Sequence, residues 1–124
     1  MQASESVRAT ILLAHGSRDP LWREPIETVA KQVRELSSEV HVRCAYLELT
    51  APDLHVCVAE LVAQGVTSIT VLPLFLGMGK HARDDLPLLL KQLHTSHPNI
   101  QIDIKPTIGE QAQVIQLLAR LALS

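Results

Sequence analysis

The chain has 124 residues, of which 47% are hydrophobic and 19% charged, enough for one globular domain, taken as residues 1–124, with a sizeable core. Its formal net charge of −2 at pH 7 excludes recruitment of nucleic acid by bulk electrostatics, so any cationic site has to be local. Cys44 and Cys57 form no C-x-x-C pair and read as small buried hydrophobes in a reducing compartment. The apolar run ATILLA (9–14), behind Glu5 and Arg8, is too short for a signal-peptide core or a membrane span. These features together predict a cytoplasmic protein with no membrane partner.

The elements alternate in period. ATILLA is a first strand. Trp22, Ile26, Val29, Val33 and Leu36 then recur at three- and four-residue steps along one helix face, with Pro25 in its first turn. VHVRCAYLE (40–48) alternates as a second strand, and a helix follows in which Thr50 and Asp53 have capping-box spacing and Gly65 closes the far end. TSITVLPLFLG (67–77) is apolar on both faces, and regular pairing is expected to stop near Leu72 because Pro73 has no N–H to donate. A third helix carries Leu86, Leu89, Leu90 and Leu93 behind Asp84 and Asp85, whose charges suit a helix N-terminus. NIQIDIK (99–105) alternates strictly, and Val114, Leu117, Leu118 and Leu121 define a last helix.

This βαβα pattern predicts an α/β lobe with a parallel sheet and helices on both faces. Continuous apolar runs mark central strands and alternating runs mark peripheral ones, which gives the order 2-1-3-4 and a topological switch between strands one and three. Ligands bind at the carboxyl ends of strands near such a switch. Three useful side chains fall there: His15 after strand one, Glu48 ending strand two, and His81 in the loop after strand three. Two imidazoles and a carboxylate suit a borderline divalent metal. Taken singly, His15 also reads as a turn residue and Glu48 as a solvated strand end. His94 and His97 read as solvated polar residues, and His41 and His55 as singletons.

LGMGKHARDD (76–85) is not a P-loop, since Leu74 takes the first glycine position and His81 the hydroxyl position. Gly77, Gly79 and Ala82 match a dinucleotide fingerprint, with Asp103 downstream, but the loop follows the third strand and leaves both histidines unexplained. The alternative is that Gly77 and Gly79 simply permit a tight turn. AHGSRD departs from the hydrolase elbow because position 19 is Asp.

LLAHGSRDP, YLELTAPDL and PLFLGMGKHARDDLP, taken together, resemble the small sirohydrochlorin chelatases of CbiX type, over essentially the whole chain. The resemblance implies insertion of cobalt, iron or nickel into sirohydrochlorin, with no permanently bound cofactor and the divalent metal as substrate. It implies that His15, Glu48 and His81 meet the metal, that one histidine takes a pyrrolic proton, and that a one-lobe chain works as a homodimer. Sirohydrochlorin carries eight carboxylates, so Arg18, Lys80 and Arg83, with Gly77 and Gly79, are the candidate substrate contacts. The competing readings are a non-catalytic metal or tetrapyrrole carrier and, more remotely, a nucleotide-binding oxidoreductase.

Overall fold

The computed structural model describes residues 6–124; Glu5, named above among the charges ahead of the first strand, lies outside them. Four parallel strands, β1 (Arg8–Ala14), β2 (His41–Tyr46), β3 (Ser68–Pro73) and β4 (Gln101–Ile104), form one sheet in the order β2-β1-β3-β4. Four α-helices accompany them: α1 (Glu24–Leu36), α2 (Leu54–Ala63), α3 (Lys80–Ser96) and α4 (Ala112–Leu123). The expected fold class and strand order are therefore those observed.

The sheet is covered on both faces. Ile11, Leu13, Ala45, Ile69 and Val71 point into a core shared with Leu54, Cys57, Val58 and Leu61 of α2 and Leu86 and Leu93 of α3. On the other face Leu12 and Val42 pack against Ala30 of α1, flanked by Ile26 and Val33. Each fully buried branched side chain contributes about 1.5–3 kcal/mol. That double coverage explains why the central strands read as unbroken apolar runs.

Several local expectations change. Trp22 sits in a 3₁₀ turn over Pro20–Arg23 ahead of α1, and Val29 and Leu36 face solvent at 42% and 86% exposure, so the buried stripe of α1 is narrower than its periodicity predicts. Asp53 alone caps α2, its carboxylate accepting from the Val56 N–H at 2.9 Å, while Thr50 serves another purpose. Pairing of β3 runs through Pro73, opposite Leu13. Alternation turns position 73 toward β4, like Val71, whose carbonyl accepts from the Lys105 N–H at 2.8 Å. The β4 ladder has ended by that point, so the missing donor costs no pair, and the Pro73 carbonyl faces the Thr107 hydroxyl at 3.1 Å. Finally α3 begins at Lys80, which leaves Asp84 and Asp85 beyond its first turn.

Candidate active site

The site is built where β1 and β2 run past their regular ends. Leu47 N–H donates to the Ala14 carbonyl and Glu48 N–H to the His15 carbonyl, both at 3.0 Å, so the histidine and the glutamate emerge side by side. Gly16 makes this approach possible. It adopts φ +108°, and a Cβ there would stand 1.7 Å from the Glu48 carbonyl oxygen, so only glycine fits. The Thr50 hydroxyl then clasps the next residue, donating to the Ser17 carbonyl at 2.7 Å and accepting from its N–H at 3.0 Å. Leu49, at φ +63°, is the centre of a tight turn closed by Thr50 N–H on the Glu48 carbonyl at 2.7 Å, a strained conformation for a non-glycine residue. The strain sits at the residue that follows Glu48.

His15 rests on Phe75, ring centroids 4.4 Å apart and planes inclined by 44°. Phe75 is itself pinned by Thr107, the one buried polar residue among the described residues. The Thr107 hydroxyl accepts from the Phe75 N–H at 2.9 Å and lies 2.6 Å from the Phe75 carbonyl. Gly109 N–H donates to the same carbonyl at 3.1 Å, and a Cβ on Gly109 would fall 1.6 Å from the Leu76 oxygen. A segment after β4 thus braces the platform under His15. Its signal in the sequence is only a lone Thr and a lone Gly, and sequence reasoning missed both.

The remaining wall is α3. Gly79 is its N-cap and His81 its second residue, so His81 is helix-borne and not in a loop as expected. One cavity of about 480 Å³ is lined by His15, Leu47, Glu48, His81, Ala82, Asp85, Leu88, Leu89 and Gln92. The three predicted ligands therefore face a common space. They stand around it without closing on a point: among the described residues no three His, Cys, Asp or Glu side chains form a ready-made metal cage.

The predicted cationic contacts lie elsewhere. None of Arg18, Lys80 and Arg83 lines the cavity. All three are exposed, and the Lys80 ammonium is 2.7 Å from Asp84, a solvated pair worth little on its own. Gly77 and Gly79 are also outside the lining, and a Cβ at either meets nothing within 4 Å. Neither has a positive φ or a close backbone neighbour that only glycine could meet, so the packing of the lobe itself does not demand glycine at either position. Among the other histidines, His94 is exposed as expected, with one ring nitrogen 2.9 Å from the Ile102 carbonyl, and His55 meets Gln92 at 3.1 Å across the α2–α3 gap. Burial raises the Cys44 thiol above its ordinary range and pushes Cys57 up to about 11, so neither offers a thiolate near neutral pH.

Comparison with known proteins bears on this arrangement. The sequence model of the CbiX family matches residues 9–123. The chain belongs to the CbiX family. It is 30% identical over 115 residues to the sirohydrochlorin cobaltochelatase of Methanococcoides burtonii, covering 90% of this chain and 88% of that one. With the sirohydrochlorin cobaltochelatase of Methanopyrus kandleri it shares 35% identity over 82 residues, 66% of this chain. That match spans only 57% of the Methanopyrus kandleri protein. The fold superposes on the crystal structure of a CbiX protein from Marinobacter aquaeolei VT8 with a TM-score of 0.80 at 34% identity, covering 93% of each chain. It also superposes on the sirohydrochlorin chelatase SirB from Bacillus subtilis subspecies spizizenii in complex with cobalt, with a TM-score of 0.76 at 26% identity. There it covers 91% of this CbiX-family chain and 48% of SirB.

Proposed function

We propose that this CbiX-family lobe inserts a divalent metal, cobalt first among the candidates, into sirohydrochlorin. The observation that carries the reading is the convergence of His15, Glu48 and His81 on one cavity at the carboxyl edge of the sheet, in a chain whose relatives are named sirohydrochlorin cobaltochelatases. Metallation has to strip water from the ion, deliver it to the macrocycle and remove two pyrrolic protons. Glu48 supplies the charge that draws the cation. The imidazoles of His15 and His81 act near neutral pH as ligands or proton acceptors. No permanently bound cofactor is required, since the metal is itself a substrate.

The cavity lining contains no Lys or Arg, so the carboxylates of the substrate belong outside it, where Arg18, Lys80 and Arg83 are exposed and the backbone at Gly77 and Gly79 stands clear. A macrocycle has two faces, and one lobe walls only one of them. A second copy of the chain supplies the other. Support comes from the length of SirB, about twice the part this lobe covers, and from α4, which buries no residue on its own lobe. Closed two-fold pairing is the commonest association of identical chains.

The test is turnover. Under anaerobic conditions, excess sirohydrochlorin with cobalt, iron or nickel in parallel should lose its free-base visible spectrum over many equivalents per protein. Conversion that stops at one equivalent for every metal would identify a carrier instead.

A further inference from the structure

The cavity holds a second carboxylate, that of Asp85. Asp85 lies four residues after His81 on α3, so the two share one helix face about 6 Å apart along the axis. Asp84, its neighbour, is held by Lys80 at 2.7 Å. Asp85 has no cation within ion-pair distance among the described residues, and it faces the cavity. With Glu48 it gives the lining two carboxylates and no positive side chain. Such a surface repels the substrate's own carboxylates and attracts a dication. The lining continues along α3 from His81 to Gln92, about 16 Å of helix, so there is room for an ion to be held away from the His15–Glu48 edge.

We infer that Asp85 is the receiving ligand for the divalent cation, holding it with His81 on the α3 face before it crosses to Glu48, His15 and the macrocycle. This rests on the metal-insertion reading above and adds a waiting position to it. An imidazole and a carboxylate one helical turn apart can bind one ion from the same side. Such a two-ligand hold leaves most of the ion's coordination to water, so transfer onward is not blocked by a closed cage. Glu48 and His15, by contrast, are carried by the ends of β2 and β1, so an ion held on α3 has a second set of ligands to pass to.

The experiment is a cobalt(II) titration without tetrapyrrole, followed by the visible absorption of the ion, on the wild type, Asp85→Asn and Asp84→Asn. Each variant removes one negative charge from adjacent, exposed positions. Asp85→Asn should weaken cobalt binding on the order of tenfold or more, and Asp84→Asn should leave it within about twofold because that carboxylate already has a partner. In the insertion assay Asp85→Asn should raise the cobalt concentration for half-maximal rate by a similar factor while the rate at saturating cobalt changes little. Asp85→Glu, which keeps the carboxylate, should restore part of the affinity, and circular dichroism checks that each variant is folded. Unchanged cobalt affinity in folded Asp85→Asn overturns the assignment, and so does an equal loss in Asp84→Asn, which would mean bulk charge and not ligation. If the wild type binds cobalt yet inserts none into sirohydrochlorin, the chelatase reading fails while the titration still decides Asp85.

Discussion

At the scale of single residues, His15 and His81 carry different structural burdens for the chemistry proposed for them. His15 is exposed but leans on Phe75, whereas His81 stands free in the first turn of α3, where alanine is a better helix former. Replacing either with alanine should therefore leave the lobe folded and lower the insertion rate on the order of 10²-fold, the usual scale for a lost proton acceptor. His97→Ala is the matched control and should keep wild-type rate. His94 is unsuitable for that purpose because its ring bonds the Ile102 carbonyl of β4. Wild-type rates in folded His15→Ala and His81→Ala would remove both from the mechanism. The glycine beside His15 was legible only in part: H-G-S marks a turn, but nothing in the letters shows that Gly16 must be bare to let the Glu48 carbonyl pass.

At the scale of elements, the sequence carries what period and burial control and loses what depends on distant backbone. The strands and their order follow from apolar runs, and Ile69 and Val71 occupy the core that pattern demands. The helix starts were harder. Gly79 caps α3 without a side-chain bond, so no Ser, Thr or Asp marks its beginning, and the charges of Asp84 and Asp85 point to a start later than Lys80. That shift also hid Asp85, whose relation to His81 appears only once both are on one helix. Thr107 was invisible for another reason: its partners, Pro73 and Phe75, lie 34 and 32 residues away. Its hydroxyl gives a sharp expectation. Thr107→Val keeps the shape but strands the buried Phe75 N–H, which costs about 1–3 kcal/mol and loosens the ring beneath His15. Thermal denaturation should show a lowered midpoint with a reduced insertion rate, and Thr107→Ser should recover both. A Val variant as stable and active as the wild type would mean the segment after β4 does not brace the site.

At the scale of the whole molecule, α4 is the element the lobe does not explain. Its sequence alternates like a helix with one face packed, yet Ile115, Leu117, Leu118 and Leu121 are 41–62% exposed and no residue of the helix is buried. A free apolar stripe of this kind is a cost to an isolated monomer and a ready interface for a second copy. The dimer proposed above would cover this stripe and supply the second wall of the site. Placing two charges in the stripe, Leu118→Glu with Leu121→Glu, separates those effects from folding. The lobe should keep its thermal midpoint to within a few degrees, because the changed side chains contribute nothing to its core, while light scattering should fall from dimer to monomer mass. Insertion activity should fall with it and recover as protein concentration is raised, by mass action on the weakened dimer. If the wild type scatters as a monomer at full activity, one wall suffices. If the double variant remains dimeric, the two copies meet through another face and α4 is free for a different role.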